Sequence, residues 1–438
     1  MAISEGGEVR SAGRIKTERS ELELFAGSLG HDDQVVMEAT GPAFEIARIV
    51  SPHVARVVVA NAAEVRAISH ARVKSDRFDA RTLARLLDAD MLASVWVPSA
   101  EIGALRRRIA RRGALVRQRT RAKNEVHAAL ARSLQGRSPF SDLFGVKGRS
   151  WLAEQPFGED EAETVAGCLR QIDFLDGEDE AIDRQLAAFV VDSPEARRPM
   201  TIPGIGSAAA VSLIAAIGEI SRFESPRKLI GYLGLDPLVR QSGDAPARTG
   251  RISKRGNAQA RSVLVEAAWV AIRSPGPLAA FGERVRARRG GQVAAVAVAR
   301  KIATLAWHLV TKQEDYAWGR PSLVRRKVRQ AELMAGAPRR ATRHGAQRVS
   351  TTDAERQAER IIAERGEAAY RRLANDCSRQ TTQTKRGRRR DTGARILRPS
   401  KRHATRRAKP QRPRFSSSSP TPTPKCPKRR PEQPTALD

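Results

Sequence analysis

Asp76 and Asp79 stand three residues apart in RVKSDRFDARTLARLL, residues 72–87. On a helix that spacing puts both carboxylates on one face, where they can hold one cation or a pair of cations. Lys74 and Arg77 lie beside them and can touch phosphate. The plainer reading is a pair of ordinary first-turn charges, which the helix dipole favours. Glu38 sharpens the choice. It closes the apolar run Val35, Val36, Met37 just before the chain breaks into ATGP. A carboxylate where the chain leaves a sheet is a common ligand position in α/β folds, although the same residue also serves as a cap or an edge charge. Three carboxylates suit Mg²⁺, a hard ion that takes oxygen ligands. Two such ions about 4 Å apart would clamp the attacking and leaving oxygens of a phosphodiester.

A second set of residues lies far along the chain. TIPGIG, residues 201–206, reads as a turn between helices. Gly204 and Gly206 let the backbone approach a neighbour or a phosphate closely, and a simple interhelical turn is the bland alternative. Ser242 sits in a polar loop before Gly243, with Arg251, Lys254 and Arg255 downstream in GRISKRGN. A serine hydroxyl is a weak nucleophile unless a base or a positive field activates it. No histidine occurs between His127 and His308, so a hydrolase triad has no support. Arginine and lysine can instead stabilise charge on a phosphoryl group in transfer.

The elements that must position these groups follow from hydropathy. QVVMEA (34–39) and ARVVVA (55–60) read as buried strands, with GPAFEIARIV as the crossover helix between them and a further helix from about residue 76 to 87. Residues 101–135 form a long, very basic helical pattern with apolar positions at Ile102, Leu105, Ile109, Val116, Val126 and Leu130. Its arginines read as a solvated face of a hairpin or coiled coil, or as contacts to a nucleic-acid backbone. An acidic helical segment at 160–191 is its natural partner. Residues 196–275 read as another compact unit, with a helix beginning near Ala258, and 316–372 as polar and helix-prone.

Composition limits the partners. The 438 residues carry 79 Lys and Arg against 48 Asp and Glu, a net +31. Such an excess points to a polyanion, most simply nucleic acid. Eighteen of those basic residues and three of the acidic ones lie in 381–438, which carries +15; the other 380 residues carry +16. Cys168, Cys377 and Cys426 have neither pairing nor metal spacing, as suits a reducing compartment, and Cys168 reads as core filling. No stretch reads as a membrane span or a signal peptide, so the expectation is a soluble cytoplasmic protein with no membrane partner.

Several blocks together, in order over roughly residues 8–310, resemble transposases of the insertion-sequence one-hundred-ten type: VVMEATGP, VKSDRFDARTLARLL, LVRQRTRAKNEVHAAL, TIPGIGSAAAVSLIAAIG, FESPRKLIGYLGLDP and SGDAPARTGRISKRGNAQARSVLVEAAW. The resemblance implies an α/β, RuvC-like (ribonuclease H-type) N-terminal domain whose Asp, Glu, Asp and Asp hold Mg²⁺. The last three match Glu38, Asp76 and Asp79. It implies a C-terminal domain whose serine, matching Ser242, attacks DNA to form a transient phosphoserine link, with TIPGIG as a helix–hairpin–helix turn near a nucleic-acid backbone. It implies DNA partners (element ends and target), a structured guide RNA, a dimer or tetramer, and action at the bacterial nucleoid.

The expected organisation is a RuvC-like domain at 1–98, a helical hairpin or coiled coil at 99–192, a mainly helical transposase domain at 193–315, a polar helical extension at 316–375 and a disordered basic tail at 376–438. The family pattern places its first aspartate on an opening strand. Residues 1–31 contain no Asp, and Asp32 and Asp33 fall just before the Glu38 strand. The expectation is therefore a domain incomplete at its N-terminus, from a mis-assigned start or a truncated element, and an enzyme whose activity as given is open. The alternatives are a non-catalytic DNA- or RNA-binding remnant and a RuvC-like junction nuclease. The tail, rich in Pro, Arg, Ser and Thr, reads as a non-specific nucleic-acid arm or as disorder without a role.

Overall fold

The computed structural model describes residues 1–5, 8–62, 64–65, 76–243, 246–338 and 352–393, with the side chains of 2–5, 11, 76–78 and 377–393 excepted. Residues 1–376 form one compact unit.

The N-terminal part holds two small sheets. The hairpin β1 (Ala2–Glu5) and β2 (Glu8–Ser11), which the hydropathy pattern does not announce, pairs only with itself among the described residues. After α1 (Arg19–Gly27), strand β3 (Gln34–Glu38) pairs in parallel with β4 (Arg56–Ala60), from Gln34 opposite Arg56 to Glu38 opposite Ala60. Helix α2 (Ala43–Val50) makes the crossover that parallel strands require. Its apolar face buries Ala43 and Ala47 against Val59, with Met37, Val57, Val95 and Val97 around them. Helix α3 (Asp76–Asp88) packs on β3 and on the hairpin. Both expected strands and both helices here appear within a residue or two of their expected ends.

Helix α4 (Ala100–Arg132) runs antiparallel to α6 (Glu159–Asp192), with α5 (Val146–Ala153) between them in sequence. Ser99 caps α4, its hydroxyl accepting from Ile102 N at 3.3 Å. The buried seam of α4 includes Leu105, Ile109, Leu115, Val126 and Leu130. Leu115 is buried there, and Val116, expected on the seam, is half-buried beside it. At the far end Val126 and Leu130 join Leu143, Leu152, Val165 and Cys168 in a separate small core.

The main core gathers α7 (Pro194–Met200), α8 (Ser207–Ile217), α9 (Pro226–Tyr232), α10 (Ala258–Arg273), α11 (Pro277–Arg289), α12 (Gly291–Lys312) and α13 (Pro321–Met334). It also takes in Leu105, Ile109, Leu186 and Val190 of the long helices, so the unit expected at 196–275 has no separate core. Helix α12 corrects another expectation: it is long and apolar enough to cross a membrane. Its apolar residues are used internally instead, with Ala294, Val298, Ile302 and Ala306 fully buried.

Between α9 and α10 lies the hairpin β5 (Pro237–Arg240) and β6 (Arg248–Ile252), which sequence reading takes for a loop. Helix α14 (Asp353–Gly393) runs past residue 376, where a disordered tail was expected to begin. Arg, Lys and Gln are good helix formers, and no proline occurs between Pro338 and Pro399. Residues 394–438, the rest of that expected tail, lie outside the described residues.

Candidate functional site

Glu38 ends β3 and is half-buried. Ala39 N donates to Ala60 O at 2.9 Å and Thr40 N to Glu38 O at 2.8 Å, so the chain turns out of the sheet directly behind the carboxylate. Asp79 is also half-buried, on the first turn of α3, the helix that packs on β3. Asp76 opens the same helix, but its side chain and that of Arg77 lie outside the described residues, as does Lys74 entirely. Among the described residues no three His, Cys, Asp or Glu side chains gather at one point. Glu38 and Asp79 alone do not close a shell around a cation. Two residues after Asp79, Arg81 has a buried Nε without a hydrogen-bond partner. Nothing in the local pattern of the sequence singles it out.

Ser242 lies in the loop joining β5 to β6 and is exposed. Gly243 beside it has φ +54, a left-handed conformation that glycine adopts without strain. The two strands enter the loop through Arg240 and Arg248, which are exposed and directly opposite each other. Like charges in that position destabilise a sheet, so their field favours an anion at the loop. Arg251, Lys254 and Arg255 are exposed on the same hairpin and the turn that follows. That turn is tightly held: Ser253 Oγ donates to Asp236 Oδ1 at 2.6 Å, and Lys254 N to Gly234 O at 3.1 Å. Asn257 then caps α10, its Oδ1 accepting from Ala260 N at 2.9 Å.

The TIPGIG turn joins α7 to α8, with Ile202 and Ile205 buried. Gly204, at φ +89, has an internal reason: a Cβ there would overlap the carbonyl oxygen of Ala267 and stand 2.9 Å from its carbon. Gly206, the residue before α8, faces open space. Lys327 of α13 braces the turn from behind, its Nζ donating to Met200 O at 2.7 Å and Ile202 O at 3.0 Å. Burial, with Arg320 and Arg326 nearby, pulls this ammonium down to a pKa of about 8.

The basic long helix turns out to be largely neutralised along one side. Arg112 forms a bidentate pair with Asp183 at 2.6 and 3.0 Å, Arg119 pairs with Asp176 and Asp179, and Arg132 with Glu161. These arginines serve the helical hairpin. Arg107, Arg108, Arg117 and Arg121 remain exposed.

The structure thus brings Glu38 close to the helix of Asp76 and Asp79, and gathers Ser242 with the basic residues of its hairpin. No hydrogen bond or ion pair among the described residues joins the two groups. Trp96 supplies a connection between the two parts: its ring lies under the guanidinium groups of Arg106 and Arg222, 5.1 and 4.5 Å from its centre, and against Gly218.

Comparison with known proteins agrees with this division. Residues 1–134 match a DEDD transposase domain of the IS110 type, and residues 196–283 match a domain described as transposase of the IS116/IS110/IS902 family. The chain is 29% identical over 336 residues to the transposase for insertion sequence element IS1111A of Coxiella burnetii, covering 72% of this chain and 87% of that one. It is 35% identical over 207 residues to putative transposase y4qE of Sinorhizobium fredii, covering 45% of this chain but only about half (48%) of that relative. The pilin gene-inverting protein of Moraxella bovis is 30% identical over 143 residues, 31% of this chain and 44% of that one. With both present in order around the two residue groups, the chain carries transposase domains of the IS110/IS116/IS902 family.

Proposed function

We propose that this chain recombines DNA by transient covalent attachment at Ser242. The carrying observation is the exposed serine in a loop entered by two facing arginines, Arg240 and Arg248. In the proposed step the Ser242 Oγ–phosphorus bond forms as one bridging P–O bond of the strand breaks. The hydroxyl proton leaves with the departing strand oxygen or to water. A hydroxyl of a second strand then reverses the step, so the phosphodiester is conserved. The surrounding guanidinium groups stabilise the added negative charge.

Glu38, Asp76 and Asp79 are the residues that would hold Mg²⁺ in a RuvC-like domain at 1–98, and the ion when bound would supply Lewis-acid stabilisation of a phosphate oxygen. Lys74, Arg77, Gly206, Arg251, Lys254 and Arg255 would contact nucleic acid. Guidance by a structured RNA and assembly as a dimer or tetramer rest on the family resemblance. The test is denaturing electrophoresis of the full chain after incubation with Mg²⁺ and nicked DNA carrying element ends. A serine-dependent protein–DNA adduct, absent from Ser242→Ala, is expected. DNA binding without any adduct would leave binding alone as the function.

A further inference from the structure

A groove lies apart from Glu38, Asp79 and Ser242. It has a volume of about 400 Å³ and runs between β6 and the corner where α11 meets α12. Arg284, Arg288, Arg289 and Arg300 line it, and no carboxylate does. Arg288 and Arg289 are exposed and have no ion pair or side-chain hydrogen bond among the described residues. Arg300 is half-buried, with its Nε unpartnered. Arg284 is braced by the Tyr370 ring, 5.7 Å from its centre. Arg286, on the same helix, does not line the groove and is paired with Glu283 at 3.2 Å. So the helix compensates a cation outside the groove and leaves those within it uncompensated.

The floor is apolar, with Val293 and Val296. Cationic walls over an apolar floor suit a chain of phosphates with sugar and base surface between them better than a free inorganic anion. The opposite wall is Thr249 and Gly250 of β6. Thr249 follows Arg248, whose partner Arg240 precedes Ser242 by two residues. At roughly 3.3 Å per strand residue the serine is on the order of 10 Å from the groove. That is about three nucleotides of axial rise along one DNA strand.

The geometry points to this groove as a binding track for the DNA backbone beside the bond that Ser242 would attack. The track deepens the serine reading and rests on it for its orientation, but its binding is measurable alone. The full chain is titrated with labelled duplex DNA between 50 and 200 mM salt. Each lost phosphate contact should lower the slope of log affinity against log salt by about 0.9. The variant Arg284→Gln/Arg288→Gln/Arg289→Gln should lose about 2–3 in slope and tenfold or more in affinity. The charge-matched variant Arg325→Gln/Arg356→Gln/Arg371→Gln, whose arginines on α13 and α14 pair with carboxylates of α14, should keep the wild-type slope. If the triple groove variant misfolds by circular dichroism, Arg288→Gln and Arg289→Gln singly should each lose about one unit.

An unchanged slope in the groove variants, an equal loss in the control, or a loss seen with structured RNA but not with DNA overturns the track. Ser242→Ala should bind with the wild-type slope. A wild-type chain that shows the groove effect but forms no adduct sinks the serine step and leaves the track standing. Wild-type adduct yield and salt dependence in the groove variant does the reverse.

Discussion

The Trp96 ring sits directly on Gly218. A Cβ on Gly218 would overlap the indole Cη2 and stand 2.8 Å from Cζ3, and the glycine has φ +62. Trp96 follows the parallel-strand region, whereas Gly218 ends α8 in the main core, so this contact joins the part bearing Glu38 to the part bearing the serine hairpin. Gly218→Ala therefore meets both a backbone penalty of about 1–3 kcal/mol, because φ +62 with ψ −114 is a conformation that residues with a side chain rarely adopt, and a steric clash. It should cost about 2–4 kcal/mol in urea unfolding. Trp96→Phe, which shortens the ring, should relieve part of that loss in the double variant. Additive losses would show that the two residues are not coupled.

A second relationship lies within the helical hairpin. Asp179 is buried between Arg112 and Arg119, its Oδ2 3.3 Å from Arg119 Nη1 and its Oδ1 without a hydrogen bond. Desolvation outweighs the arginines and raises its pKa above the usual 3.8. A raised carboxylate contributes stability below its unfolded pKa and loses it as pH climbs through the folded pKa. At pH 7 the charge is therefore a cost. Asp179→Asn should be neutral or stabilising by about 1 kcal/mol, because Arg112 and Arg119 keep Asp183 and Asp176. Arg112→Met should cost about 2–3 kcal/mol by stranding the buried carboxylate. Urea midpoints at pH 5 and 7 check both, and the Asn variant's gain should shrink at the lower pH.

These cases show what the sequence makes legible. The strands β3 and β4 are continuous apolar runs, and α4 and α6 carry opposite charge on long helical patterns, so each is visible locally. The hairpin around Ser242 is not: its strands contain Arg, Gly and Thr, are mostly exposed, and lack the alternation of a half-buried strand. Gly204 reads equally as a ligand contact or a packing device until Ala267 is seen against it. The arginine groove comes from four elements up to 63 positions apart, from Pro237 to Arg300, and no local spacing encodes it. Ser242 draws attention through the order of several sequence blocks, not through its neighbours alone.

Lys327 gives a prediction at alkaline pH. Its folded pKa, about 8, lies below the ordinary 10.5. Between those values the unfolded chain holds more protons than the folded one, so stability rises with pH across that window. Relative to Lys327→Met, the wild type should gain about 2–3 kcal/mol between pH 7.5 and 10.5. Denaturant titrations of both proteins across that range check it. Parallel curves would mean that the ammonium titrates normally. At pH 7 the Met variant also leaves Met200 O and Ile202 O without their donor, and hydrogen exchange at Gly204–Gly206 should speed up.

The carboxylates separate binding from chemistry. If Glu38, Asp76 and Asp79 hold a cation, Glu38→Gln, Asp76→Asn and Asp79→Asn should each lower metal-dependent adduct formation by 10²-fold or more, since each removes a charged oxygen ligand from a hard ion. No described contact joins Glu38 or Asp79 to the serine hairpin, so duplex affinity and its salt slope should stay within a factor of about two. Glu38 and Asp79 are only half-buried, so the isosteric amides should leave the unfolding midpoint within about 0.5 kcal/mol of wild type. Loss of stability alongside activity would assign them to the packing of α3 on β3. Unchanged adduct yield in all three would remove them from the chemistry. Titration of Mn²⁺ into wild type and Asp79→Asn by calorimetry gives a readout independent of catalysis: a site present in the first and weakened in the second is expected.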